Sequence, residues 1–136
     1  MTNQLVPHLY FSGSCEAAFG HYAACGLGAI RSLQRYAGTP TAAKLGPAWE
    51  DKVLHAELEG PGLLLFGGDG PDSEPMKGSA LLLERDDVDR ARALFDALAA
   101  GGRVTVPFAR LPWGFYGNFT DRFGVQWAVL VRPEAG

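Results

Sequence analysis

Cysteine is scarce in this chain: Cys15 and Cys25 are the only two in 136 residues. That excludes a disulfide scaffold and fits free thiols in a cytoplasmic protein. Positive charge is short as well. Twelve Lys and Arg against 15 Asp and Glu leave a net charge of −3. The basic residues form no stripe for phosphate contact, so a nucleic-acid partner is not expected. No apolar run reaches the roughly 18 residues of a membrane span, which argues against a membrane partner. Met1-Thr2-Asn3-Gln4 lacks the basic-then-apolar pattern of an export signal, so the expected location is the cytoplasm. What is present is the composition of an ordinary soluble globule, 47% hydrophobic and 20% charged. The chain is long enough to bury a core as one domain.

The pattern along the chain predicts strands and helices in a definite order. Leu5 to Ser12 alternates, with His8, Tyr10 and Ser12 on one face and Leu9 and Phe11 on the other. Ser14 is placed to cap a helix, and Cys15, Ala18, Phe19 and Tyr22 make its apolar stripe. Gly26 and Gly28 stop it, and a strand from Ala29 to Tyr36 follows. Gly38 to Pro47 has no period and is expected to be loop. Val53 to Glu59 alternates, with Val53, His55, Glu57 and Glu59 on one face. Gly60-Pro61-Gly62 turns into Leu63 to Phe66, a strand apolar enough to be buried on both sides. Gly67 to Gly78, rich in glycine and proline, is the expected linker.

The pattern then restarts. Ser79 to Arg85 is a strand, and Asp86 or Asp87 caps a helix whose stripe is Val88, Ala91, Leu94, Phe95 and Leu98. Strands follow at Arg103 to Arg110, Phe115 to Thr120 and Gln126 to Val131. The last two are joined by a tight turn in which Asp121 bonds its own backbone and Gly124 takes a positive φ. Each half therefore reads strand, helix, strand, strand, strand. Such self-similarity, at a spacing of about 70 residues, marks a duplicated unit.

Three stretches carry a resemblance: Pro7-His8-Leu9-Tyr10-Phe11-Ser12-Gly13-Ser14-Cys15-Glu16-Ala17-Ala18, then His55-Ala56-Glu57-Leu58, and Thr120-Asp121-Arg122-Phe123-Gly124-Val125-Gln126-Trp127. With the doubled βαβββ pattern they resemble the glyoxalase/bleomycin-resistance/dioxygenase (vicinal oxygen chelate) superfamily, and within it the PhnB-like group. The resemblance implies an α+β fold in which two βαβββ modules, about 1–70 and 78–136 of a single domain, form a curled mixed-sheet cleft. It also implies a homodimer. Fold alone does not choose among the chemistries this architecture hosts.

Metal-dependent relatives place His and Glu ligands near the ends of four strands, two per module. Carried over residue by residue, that pattern finds His8 on the first strand. It finds apolar residues around Leu65, neither His nor Glu around Ser79, and Ala128 where the last strand should deliver Glu. One donor in four is too few for a cation that needs about three protein ligands. The expectation is therefore no family metal and no cofactor. A nonstandard metal-dependent lyase or dioxygenase site around His8, His55 and Glu57 is the alternative, against the plainer reading of a sheet hydrogen bond and a solvated carboxylate. Cys15 sits on a core stripe, where free cysteine is usually buried rather than reactive. Members of the PhnB-like group are often labelled demethylubiquinone methyltransferases, yet no glycine-rich strand-to-helix loop for a methyl donor is visible here. What remains is an aromatic-rich second half and a small-molecule ligand bound in an aromatic-lined cleft. The candidate contacts are His8, Tyr10, His55, Arg110, Trp113, Tyr116, Asn118 and Trp127. Arg110 is chosen because a guanidinium can pair with an anionic ligand.

Overall fold

Each half of the chain builds its own four-stranded sheet with one long helix on one face. The computed structural model describes residues 3–133. The chain divides into two units, Met1–Glu74 and Pro75–Gly136. Unit one contains β1 (His8–Phe11), α1 (Cys15–Ala24), β2 (Ala29–Arg35), a short helix α2 (Pro40–Leu45), a single 3₁₀ turn at Pro47–Trp49, β3 (Val53–Gly60) and β4 (Leu63–Asp69). Unit two contains β5 (Leu81–Arg85), α3 (Val88–Ala99), β6 (Arg103–Leu111), β7 (Gly114–Thr120) and β8 (Gln126–Val131). The strand orders are β1-β4-β3-β2 and β5-β8-β7-β6, so the repeat extends from sequence pattern to topology. In both units the first and last strands pair in parallel and the other pairs are antiparallel. Among the described residues no helix is long and apolar enough to cross a membrane.

The helical stripe of unit one is as the spacing requires, with Cys15, Ala18, Phe19 and Tyr22 all buried. Its cap is not. Ser14 makes no side-chain capping bond. The carboxylate of Asp69, buried at the end of β4, does the work instead. Its Oδ1 accepts from the N–H groups of Gly13 (3.0 Å) and Cys15 (2.9 Å), and its Oδ2 from the Val53 N–H (2.9 Å). The Tyr36 hydroxyl donates to the Asp69 carbonyl at 2.6 Å. One residue thus fastens the start of the helix to the start of β3 and the end of β4. A carboxylate accepting several backbone donors is also favoured at the positive end of a helix dipole.

The linker expected from Gly67 begins only after Asp69, the last residue of β4. β4 runs through Gly67 and Gly68, because a larger residue fits at neither position. A Cβ on Gly67 would stand 2.8 Å from the Phe19 ring, and one on Gly68 would stand 2.7 Å from the Leu54 carbonyl. These glycines admit close packing within a strand, a use that composition alone cannot separate from a flexible loop. Nor is β4 buried on both sides, since Leu65 is core while Leu64 and Phe66 are only half-buried. A second correction concerns β3. A register irregularity opposite Gln34 and Arg35 puts Val53 in the core and leaves Leu54 exposed. An extra residue in one strand reverses which side the residues before it face. Finally, Pro40–Leu45 is helical rather than loop, capped by Thr39, whose hydroxyl accepts from the Ala42 N–H at 3.2 Å.

In unit two, Asp87 caps α3 by accepting from the Arg90 N–H at 3.0 Å. Ala91, Phe95 and Leu98 are buried, while Val88 and Leu94 are half-buried. Phe95 meets Phe119 edge-on (4.9 Å between centroids) and Phe108 at 5.7 Å, which forms the core between helix and sheet. Strand β5 starts at Leu81, two residues later than the pattern suggested.

Candidate functional site

The face of each sheet away from its helix holds most of the candidate residues. In unit one, His8 and Tyr10 project from β1 to the same side, with ring centroids 4.7 Å apart. Strand β4 pairs with β1 so that Phe66 lies opposite His8, and with β3 so that Phe66 also lies opposite Glu57. His55 stands beside Phe66, edge to face at 5.1 Å, and 6.1 Å from His8. The result is a patch of four rings crossing β1, β4 and β3. Tyr10 is 66% exposed, so this patch is open to solvent.

Charge is arranged along one margin of the patch. Glu57 accepts from His55 Nε2 at 2.8 Å and from Arg31 Nε at 2.7 Å, and Arg31 also reaches Glu59 at 2.7 Å. The His55 hydrogen bond, then that of Arg31, holds the Glu57 carboxyl below its ordinary range. His8 is pushed the other way from what an acid neighbour would do. Loss of water around its ring, with a smaller effect of the nearby His55, lowers its pKa. This histidine favours the neutral, hydrogen-bonding form.

In unit two the corresponding face carries Trp113, Tyr116 and Asn118. The Trp113 and Tyr116 rings are 5.7 Å apart, and Asn118 Nδ2 donates to the Tyr116 hydroxyl at 3.0 Å. Trp113 is 53% exposed at the β6–β7 turn. Strand β8 places Ala128 opposite Asn118 and Leu130 opposite Tyr116, giving an apolar floor.

Two candidates are not part of these faces. Trp127 pairs with Phe119 on the helix side and is fully buried, its indole N–H donating to Asp121 Oδ2 at 2.9 Å. The alternation in β8 puts Trp127 and Ala128 on opposite sides, which is why an aromatic residue there serves the core. Arg110 pairs with Phe115 in register and therefore also lies on the helix side, away from Tyr116. Among the residues that pattern reading missed, Phe66 and Arg31 matter most. Phe66 was hidden because its strand was expected to be buried on both sides, and Arg31 was legible only if β2 was set in register beside β3.

His8 faces the open side of β1, and the β4 position that shares its side is Phe66, a hydrocarbon ring. Ser79 lies before β5 rather than in it, and Ala128 supplies no ligand atom. These residues do not fit the four-ligand pattern of metal-dependent relatives. Among the described residues, no group of three or more His, Cys, Asp and Glu side chains is placed to hold a metal ion.

The glyoxalase/bleomycin resistance protein/dioxygenase superfamily matches residues 8–129, from the first residue of β1 to the middle of β8. The chain belongs to that superfamily. A solved structure of protein PA1353 from Pseudomonas aeruginosa is similar, with 36% identity and a TM-score of 0.85 over 98% of this chain and 100% of that one. The PhnB protein from Bacillus cereus superposes with a TM-score of 0.79 at 22% identity, covering 95% of this chain and 99% of its own, a likeness of fold. Protein YjdN of Escherichia coli K12 is 28% identical over 142 residues, spanning 96% of each chain. Within the superfamily, then, this chain keeps the doubled βαβββ architecture while its open faces carry rings and amides.

Proposed function

We propose that the protein binds a small planar, apolar molecule on its open sheet faces, with no metal of the superfamily's kind. The observation that carries this reading is the patch of His8, Tyr10, His55 and Phe66, in which a phenyl ring stands on the His8 side of β4. Stacking surfaces with a few polar groups are what small-ligand sites are made of. Tyr116, Asn118 and Trp113 supply the same combination in unit two. The proposal includes a homodimer in the cytoplasm, where the free thiols Cys15 and Cys25 would persist. A thermal-shift screen with flat aromatic probes tests the binding, because a ligand of the native state raises the melting point. Stabilisation that is lost in Tyr10→Ala or Trp113→Ala supports the reading, and no stabilisation by any probe overturns it. Light scattering reads the mass for the dimer.

A second reading keeps metal chemistry with a different donor set. Glu57 holds His55 through one ring nitrogen, as carboxylates hold imidazoles that ligate metals. On this reading His8 and His55 bind a transition metal, with remaining positions taken by substrate. Metal analysis of protein purified without chelator separates the two. Stoichiometric metal that disappears in His8→Ala favours the second, and its absence from wild type removes it.

A further inference from the structure

The duplication places equivalent recesses on the two units, and their linings differ in kind. In unit one the recess lies where the ends of β1, β2 and β4 meet the start of β3. It has a volume of about 480 Å³ and contains Glu16, Arg35, Asp51 and Asp69. Its arginine is fully engaged. Arg35 donates to both oxygens of Glu16 (3.0 and 2.9 Å) and to the Asp51 carbonyl (2.8 Å).

In unit two the same corner joins the ends of β5, β6 and β8 to the start of β7, in a recess of about 310 Å³. Arg110 stands at the end of β6, as Arg35 does at the end of β2. Arg35 is neutralised by Glu16, with Asp51 nearby, whereas Asp86, the one carboxylate lining the unit-two recess, makes no ion pair with Arg110 among the described residues. Val131, at the end of β8, occupies the place that Asp69 takes at the end of β4. Glu16 is the second residue of α1, whereas Asp89, the second residue of α3, does not line the recess. Among the described residues, Arg110 makes no hydrogen bond or ion pair. The other arginine there, Arg132, is held by Glu84 at 2.5 Å. Val88, Leu111, Phe115 and Val131 supply apolar walls, and Asp86 stands at the helix side.

We propose that the recess of unit two binds a small apolar monocarboxylate, its anion on Arg110 and its hydrocarbon body against Val88, Leu111, Phe115 and Val131. A guanidinium presents a fork of donors that matches a carboxylate. The apolar walls take a hydrocarbon body, and the volume is at the small end of ligand sites. Asp86 selects against a second negative charge. The proposal does not rest on the open-face reading, because Arg110 and Phe115 lie on the opposite side of the sheet from Tyr116.

Phenylacetate is the probe, with phenylacetamide as its uncharged counterpart and phthalate as a dianion. Titrations followed by amide NMR on the full chain should move Val88, Leu111 and Phe115 with phenylacetate, and at least tenfold more weakly with the other two. Arg110→Gln should weaken phenylacetate at least tenfold while leaving the melting temperature unchanged, since Arg110 is exposed and bonds to no described neighbour. Equal binding by Arg110→Gln, equal binding of the amide, or no binding of phenylacetate would each overturn the proposal. So would shifts confined to Tyr10, Trp113 and Tyr116, which would assign the probe to the open faces instead.

Discussion

The indole N–H of Trp127 donates to the Asp121 carboxylate at 2.9 Å, across the turn that joins β7 to β8. The other oxygen of Asp121 accepts from Phe123 (2.9 Å) and Val125 (3.0 Å), and Gly124 closes the turn at φ +90. The bonds from Val125 and Trp127 are buried, where water does not replace them, while that from Phe123 is half-buried. Asp121→Ala removes the carboxylate that accepts from Val125, Trp127 and Phe123, at about 1–3 kcal/mol for each buried hydrogen bond lost. The expected loss is about 3 kcal/mol or more by chemical denaturation. Trp127→Phe should cost less, and the double variant should lose clearly less than the sum. Additive losses would mean the pair does not act as a unit.

Close approach of α1 to β4 depends on Gly67. Gly67→Ala drives a methyl group into the Phe19 ring and towards the Leu9 carbonyl, 3.1 Å away. Overpacking of this kind costs about 1–3 kcal/mol. Phe19→Leu in the same chain should recover part of the loss, because the shorter side chain vacates the colliding space. A neutral Gly67→Ala in denaturant titrations would show that the ring can move aside.

His8 should titrate below its ordinary value of 6.5. In the unfolded chain it takes its proton near that ordinary value, so between the two pKa values the unfolded state holds more protons. Its contribution to stability is therefore present above pH 6.5, declines as pH falls through that value, and levels off below the folded pKa. Glu57 has the same sign at lower pH, its contribution being lost as the solution is acidified through its depressed pKa. NMR titration of the His8 ring checks the first statement. His55→Ala should raise the inflection only partly, because desolvation is the larger cause. An inflection at or above 6.5 in wild type would contradict the crowding described for that ring.

The two thiols should behave differently towards alkylation. Cys15 is fully buried, and burial, with the negative charges of Asp69 and Glu16, pushes its thiol up to about 12. Only the thiolate reacts. Iodoacetamide at pH 8 should therefore label Cys25 in the native protein and both cysteines in denaturant. Native labelling of Cys15, read by mass spectrometry of peptides, would show that α1 opens readily.

Periodicity made the architecture legible and left its fastenings hidden. The stripes of α1 and α3, the paired hairpins and the Asp121 turn all follow from local spacing, which the chain carries in its own order. Asp69 was not legible, because its partners Gly13, Cys15 and Val53 are far away in sequence and two glycines before it imitate a linker. Val53 faces the core, against the simple alternation, because a one-residue irregularity in strand pairing leaves no mark on composition. The same limit applied to the site. His8, Tyr10 and His55 were found by alternation and do converge, whereas Trp127 and Arg110 needed register to be separated from Tyr116 and Asn118. Residue type suggested ligand contact for all of them, and only the pairing of strands decides which side each one serves.

The parallel pairing of β1 with β4 has a consequence for the newly made chain. Among the described residues, strand β1 pairs only with β4, and β4 is the last strand of the unit to be synthesised. As the chain leaves the ribosome, β2 and β3 can form their hairpin while β1 still has no strand to pair with. The last segment must then slot between β1 and β3, a long-range closure of the kind that slows folding. Pulse-labelled amides during refolding should show the β2–β3 hairpin protected before β1, and simultaneous protection would refute this order. Until β4 arrives, the amino-terminal strand is an open edge on which another copy of the same chain could add its own β4.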